Sequence, residues 1–319
     1  MKELTVTEKE AGQRADKFLL RYLGAAPKGF VYKMLRKKRI KLNGGRLEGG
    51  EILRAGDVFS LYLSEDTLSE FTETRALRRT DIRFSVVYED ENLLVMNKPA
   101  GLLSQPAGPE DESLWDQALF YLSEKGEYAP EREGAFVPAI ANRLDRNTGG
   151  IVIMGKTLPA MQELSRVIRE GGIEKYYLVL VKGEVNAPGT LTGVFNKDKS
   201  ANKAIIRKTG EGSEIITKYR PLKVKNGFSL LEAELITGKS HQIRAHLYSA
   251  DMPVAGDKKY PDPWVNGEFR RKYGLNHQFL FAHRVVWKEK TGRLGYLCGT
   301  EFTAKPPRAL WEIERDIFG

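Results

Sequence analysis

Three segments of this 319-residue chain set polar side chains between apolar runs, where reactive groups have walls to hold them. The first is Asn142-Arg143-Leu144-Asp145-Arg146-Asn147-Thr148-Gly149-Gly150, a carboxylate between two guanidinium groups just ahead of a glycine pair that opens a strand. Neighbouring cations favour the charged form of Asp145, which suits a nucleophile or an electrostatic stabiliser. A salt-bridged turn has the same pattern. The second is Lys175-Tyr176-Tyr177-Leu178-Val179-Leu180-Val181-Lys182-Gly183. On a strand, Lys175, Tyr177 and Val179 share one face, with Tyr176 and Leu178 on the other. A tyrosine there fills a core or, at a site edge, stacks on a heterocycle for about 1–3 kcal/mol. The third is Thr237-Gly238-Lys239-Ser240-His241-Gln242-Ile243-Arg244-Ala245-His246-Leu247. Ser240 is placed to cap a helix starting at His241, anchored by Ile243 and Leu247 one turn apart. Arg244 then lies in the first turn, where a cation opposes the helix dipole. That placement calls for a specific anionic partner. His241 and His246 are five apart, not the i, i+4 of a helical metal pair, so no metal site is expected.

The elements that must hold these groups follow from periodicity. FSVVYEDENLLVMNKPAG reads as a hairpin, two apolar runs around a Glu-Asp-Glu-Asn turn. Further strands are expected at 150–154, 176–182, 204–207, 214–219 and 228–237. Helices are expected at 113–123, at 158–169 with Thr157 as N-cap and Gly171-Gly172 as the stop, and at 241–250. Strands outnumber helices without strict alternation, so the spacing predicts a mixed, mainly antiparallel α+β domain rather than a doubly wound one.

Composition bounds the rest. Apolar residues at 41% and charged residues at 29% exclude a wholly disordered chain, a collagen and a coiled coil. The single Cys298 leaves no internal disulfide. No apolar run reaches the roughly 20 residues of a bilayer span, and the N-terminus lacks the apolar core of a signal peptide. A cytoplasmic protein without a membrane partner is expected. Of the net charge of +9, +7 falls within residues 1–64, the footprint of a polyanion-binding module. There, Ala15, Phe18, Leu19, Tyr22 and Leu23 form a helical stripe, as do Val31, Met34 and Leu35, flanked by Lys33 and the run Arg36-Lys37-Lys38-Arg39. Short strands follow at 39–42 and 58–63.

RADKFLLRYL, the basic helix, IKLNGGRL and LRAGDVFSLYL together resemble an S4 RNA-binding domain. That resemblance implies RNA contacts from Arg14, Lys33, Arg36, Lys37, Lys38 and Arg39, mostly to phosphates. The larger domain closely resembles the RluA family of pseudouridine synthases through four ordered motifs: VVYEDENLLVMNKPAGLLSQP, NRLDRNTGG, KYYLVLVKG and LITGKSHQIRAHL. Where the family usually has His, Asp and Ser, this chain has Asn142, Asn147 and Gly149. The organisation expected is an S4-like domain at 1–64, a linker at 65–81 and a catalytic domain at 82–319. Within the last, the segment 262–279 reads as an RNA-contacting loop or a surface insertion.

The resemblance implies isomerisation of uridine in RNA to pseudouridine, with ribosomal RNA favoured over tRNA and neither a cofactor nor a protein partner required. Asp145 would be the catalytic carboxylate, Arg244 its partner, and Tyr177 a ring packed on the base and able to help remove the C5 proton. Arg143 would fill the gap left by an extruded uridine, while Leu144 and Ile243 would keep water out. Three other readings compete, the first a basic DNA-binding protein, which the N-terminal basic cluster allows and the larger domain does not support. A non-catalytic S4-type RNA-binding protein or chaperone is motivated by the departures at 142, 147 and 149. A glycosidic hydrolase would need a second carboxylate, for which Asp257 or Glu174 are candidates.

Overall fold

The two apolar runs of the hairpin at 84–98 and the long runs at 149–155, 173–182 and 228–235 form strands, and these build one large sheet. The computed structural model describes residues 1–72, 77–108, 110–129, 136–198, 203–207 and 209–319. In chain order the elements are β1 (Lys2–Thr5), α1 (Ala15–Tyr22), α2 (Lys28–Arg36), β2 (Ile40–Leu42), β3 (Gly45–Arg46), β4 (Val58–Leu61), α3 (Glu65–Phe71), β5 (Ser85–Glu89), β6 (Leu93–Lys98), α4 (Leu114–Glu124), β7 (Ala139–Ile140) and β8 (Gly149–Gly155). They continue with α5 (Leu158–Arg169), β9 (Ile173–Lys182), β10 (Gly189–Asp198), β11 (Lys203–Arg207), β12 (Ser213–Lys225), β13 (Phe228–Leu235), α6 (Gln242–Ser249), α7 (Pro263–Tyr273), β14 (Leu280–Trp287), β15 (Glu301–Thr303) and α8 (Arg308–Phe318).

Among the described residues the large sheet runs β11-β10-β12-β13-β9-β14-β8-β6-β5, with β15 beside β14 and β7 beside β8. Every pairing is antiparallel except β14 with β8, so the expected mixed, mainly antiparallel α+β architecture holds. The parallel contact sets Gly149 and Gly150 against Phe281 and Ala282. A Cβ on Gly150, at φ +114°, would lie 2.2 Å from the Ala282 carbonyl oxygen. Only glycine lets the two backbones approach this closely.

The two faces of the sheet carry separate cores. α5, α7 and α8 cover one, where Ile151, Ile153, Leu164, Phe269, Phe281 and Trp287 meet. α4 and α6 cover the other, where Met96, Leu119, Leu144, Tyr177, Leu231 and Ile243 meet. Each fully buried Leu, Ile or Phe contributes about 1.5–3 kcal/mol. α5 runs as expected, with the Thr157 hydroxyl accepting from the Ala160 N–H. The segment at 262–279 is not a surface insertion: Asp262 caps α7, and Val265 and Phe269 on its inner face are buried. The stripe of helical spacing there is short and interrupted by Asn266 and Gly267, which hid it.

A smaller four-stranded sheet, β1-β4-β2-β3, carries α1 and α2 on a core of its own around Phe18, Leu19, Val31, Ile40 and Phe59. Phe18 and Phe59 stack at 4.8 Å. The first residues of the expected linker are structured: Ser64 caps α3, and Leu68 and Phe71 pack on this small core. The spacing of these two is helical, but seven residues are too few to show a period. Residues 73–76 of that linker lie outside the described residues.

Candidate active site

Asp145 sits in the loop between β7 and β8, and the chain ties that loop down at four points. Asn142 accepts from the Ile153 N–H at 2.9 Å and donates to the Ile151 carbonyl at 3.1 Å, gripping the edge of β8. The Ser104 hydroxyl accepts from Leu144 N–H at 2.9 Å and donates to the Leu144 carbonyl at 2.8 Å. The fully buried Lys98 ammonium donates to the carbonyls of Pro99, Leu102 and Arg146. Burial pushes that amine down to about 7, while the charge of Asp145 pulls it back up. The Gln278 amide donates to Thr148 Oγ1 at 3.1 Å. A loop held this way presents its carboxylate without needing the substrate to order it.

The cationic partner of Asp145 is not one of its sequence neighbours. Arg143 is exposed, and Arg146 points to Asp111 at 4.0 Å. Instead Arg244, 99 positions away, donates from Nη1 to Asp145 Oδ2 at 2.7 Å. Its other face is taken by Asp257: Nε to Oδ2 at 2.6 Å and Nη2 to Oδ1 at 2.8 Å. Asp257 is 0% exposed and also accepts from the N–H groups of Lys259 and Tyr260. The arrangement is a relay of fixed geometry, Asp257 behind Arg244 behind Asp145, with Asp145, at 25% side-chain exposure, the most open of the three. Charge-assisted fork contacts of this kind are strong and directional. The anionic partner expected for Arg244 is thus a pair of carboxylates.

The hydrolase reading fails on this geometry. Asp257 is sealed behind Arg244, and Glu174 shares the Tyr176 face of β9, accepting from that hydroxyl at 3.0 Å on the side away from the cleft.

α6 starts one residue later than expected. His241, not Ser240, is the N-cap, with φ 57° and ψ 16°, a left-handed conformation that few non-glycine residues adopt. Gln242 makes that turn possible. Its carbonyl oxygen accepts from Thr237 Oγ1 and the Lys239 N–H, and its amide donates to the Ile216 carbonyl and Thr217 Oγ1. The turn swings the His241 imidazole toward the cleft, Nε2 4.0 Å from Asp145 Oδ1.

Tyr177 lies on β9 between Ala233 and Ala282, small neighbours that leave its ring room. Burial, and then the negative charge of Asp145, push its hydroxyl well above the ordinary tyrosine range. Arg143, Leu144, Asp145, Tyr177, Ile243 and Arg244 all line one cleft of ≈ 60 Å³, together with Lys239 and His241. A larger cavity of ≈ 490 Å³ opens beside Lys98, Asn147 and Phe281, and none of Asp145, Arg244 or Asp257 lines it. Among the described residues no group of three His, Cys, Asp or Glu side chains converges as a metal site would.

A family model described as RNA pseudouridylate synthase matches residues 92–249, which include Asp145, Tyr177 and Arg244. Ribosomal large subunit pseudouridine synthase C of Pasteurella multocida is 31% identical over 303 residues, spanning 92% of this chain and 88% of its own. The chain belongs to the RluA-type RNA pseudouridylate synthase family. The protein of the same name from Escherichia coli K12 is 30% identical over 300 residues, covering 88% of this chain and 87% of its own. The fold agrees: human RNA Pseudouridylate Synthase Domain Containing 4 superposes with a TM-score of 0.56 at 21% identity, over 76% of this chain and 94% of its own. As a member of this family the chain is an isomerase acting on uridine in RNA.

Within this pseudouridylate synthase the motifs contain Asp145, Tyr177 and Arg244, and also Ser104 and His241, whose positioning roles the sequence does not show; Asp257, considered only as a second carboxylate of a hydrolase, lies outside those motifs. In the small N-terminal sheet domain Lys33, Arg36, Lys37, Lys38 and Arg39 are exposed. Arg14 differs from the others expected to meet RNA: its Nε and Nη2 donate to the two oxygens of Asp16 at 3.0 and 2.9 Å, so its fork is already engaged.

Proposed function

We propose that this protein converts specific uridines of structured RNA, in large-subunit ribosomal RNA, to pseudouridine, with Asp145 as the catalytic carboxylate. The observation that carries this reading is a partly open carboxylate at 2.7 Å from a guanidinium that a sealed second aspartate holds in place. Ribosomal RNA is favoured over tRNA by the names of the relatives just described.

A stacked base cannot turn, so the target uridine leaves its helix at a cost of a few kcal/mol. The exposed Arg143 at the rim is placed to stack in the gap it leaves. Leu144 and Ile243 then form apolar walls that keep water from the severed glycosidic bond, and the Tyr177 ring packs on the base. Residues 1–64 act as an S4-like RNA-binding domain through Lys33, Arg36, Lys37, Lys38 and Arg39, residues 65–81 join it to the catalytic domain at 82–319, and the protein works in the cytoplasm without a required protein partner.

Asp145→Asn tests the reading. It removes the reacting charge while Arg244 keeps both bonds to Asp257, so pseudouridine formation should vanish with thermal stability retained. Pseudouridine-specific mapping of ribosomal RNA from cells with and without the gene identifies the target. Identical maps would favour the non-catalytic RNA-binding alternative.

A further inference from the structure

From the placement of His241 we infer that its imidazole is the group that removes the C5 proton of the isomerised base and returns it to N1. This inference rests on the uridine isomerisation proposed above and assigns one step of it.

The reaction needs an acceptor for that proton. Once C5 has joined C1′, the C5–H bond breaks. Its electron pair forms the C5=C6 double bond, the C6=N1 pair moves onto N1, and N1 takes a proton. No net proton is consumed, so one base that accepts from C5 and donates to N1 completes the shift. Tyr177 is poorly suited, because it accepts only as phenolate, and burial beside the charge of Asp145 disfavours that form. Among the described residues lining the cleft, His241 carries a ring nitrogen that can take up a proton in its neutral form.

Three features equip it. The left-handed cap at φ 57° is the kind of backbone outlier that surrounding structure must over-determine, and it aims the ring at the cleft. Nε2 stands 4.0 Å from Asp145 Oδ1 without bonding it, and so faces the reacting atoms with a free lone pair in one tautomer. The Tyr260 hydroxyl, 3.4 Å from Nδ1, donates to the Ala204 carbonyl and accepts from the Ala204 N–H; in the tautomer with the hydrogen on Nδ1 the imidazole donates to this hydroxyl and leaves Nε2 as the acceptor. Burial lowers the His241 pKa, Asp145 and Asp257 raise it, and Arg244 and Lys259 lower it. Lys239 and Tyr260 complete the groups around it. The result is an imidazole neutral near pH 7, the form that accepts a proton.

The test uses the full-length protein and a target RNA carrying 5-deuterouridine, under single-turnover conditions. Pseudouridine formation by the wild-type protein is measured first. Failure there counts against the parent reading, whereas the variants judge His241. His241→Asn tolerates the left-handed backbone and cannot accept a proton; His241→Gly suits that backbone and leaves room for added imidazole. Both should slow the reaction by about 100-fold or more with RNA affinity unchanged. They should also show a larger C5 isotope effect than the wild type and lose the acid limb of the wild-type rate profile. Free imidazole should restore part of the rate of His241→Gly. Rates within about threefold of wild type would overturn the inference. So would a loss with neither isotope effect nor imidazole rescue, which would make His241 structural.

Discussion

Replacing Asp257 by Asn tests whether the buried carboxylate positions the catalytic pair. Oδ1 of Asp257 accepts three bonds, from Arg244 Nη2 and from the N–H groups of Lys259 and Tyr260, whereas Oδ2 accepts one, from Arg244 Nε at 2.6 Å. An asparagine keeps its oxygen at the first position and therefore turns its NH₂ toward Nε, donor against donor. Breaking a buried ion pair from one side costs about 3–5 kcal/mol. Asp145 remains as counter-charge, so the lower end, about 3 kcal/mol, is expected for the catalytic domain. Arg244 then pivots on its single bond to Asp145, and a misplacement of about 1 Å costs about 100-fold in rate. Urea denaturation and single-turnover pseudouridine formation read the two effects. Asp145→Asn should show the opposite pattern, with activity gone and stability kept. The positioning argument is wrong if Asp257→Asn leaves both quantities within error of wild type, or lowers stability with no change in rate.

Three further outcomes are expected. His246 is 1% exposed and bonded through Nδ1 to Thr217 Oγ1, and burial pushes its pKa down to about 4. The unfolded chain binds that proton near pH 6.5 and the folded chain does not, so stability falls as pH drops from about 6.5 toward 4, by about 1–2 kcal/mol at pH 5. Chemical denaturation at pH 5 and 7 should show this for wild type and not for His246→Asn. Gly150→Ala brings a methyl against the Ala282 carbonyl at a positive φ and should cost about 3 kcal/mol or more, seen as a lowered melting temperature or loss of soluble protein. Replacing Lys33, Arg36, Lys37, Lys38 and Arg39 together by Gln should reduce the slope of log K against log salt for RNA by at most about 4.5, at roughly 0.9 per phosphate contact; an unchanged slope would remove the basic helix from the RNA interface. Arg14→Gln, already paired with Asp16, should change that slope least.

The parts of this protein legible in its sequence are those whose cause is local. Thr157 three residues before the Ala160 N–H, the two apolar runs around the turn within 84–98 and the apolar stripe of α5 need no distant partner, and each element forms where its spacing places it. Asp145, Tyr177 and Arg244 were identifiable because each sits in a polar motif between apolar strands. The assignment of Arg143 and Arg146 as the cations beside Asp145 went astray for the same reason. Adjacency along a turn says nothing about where a long side chain points: Arg146 reaches Asp111, Arg143 stands exposed at the rim, and Arg244 makes the bond to Asp145.

What the chain order by itself determined was therefore the set of elements, the concentration of positive charge in the first 64 residues and the motifs that mark the family. The family resemblance already paired Arg244 with Asp145; tertiary structure alone decided that Asp257 is buried behind that pair, that His241 turns left-handed into the cleft, and that 263–273 is a core helix. Each of these depends on distances between segments far apart in sequence, and such distances are set only when the two faces of the sheet close over their cores.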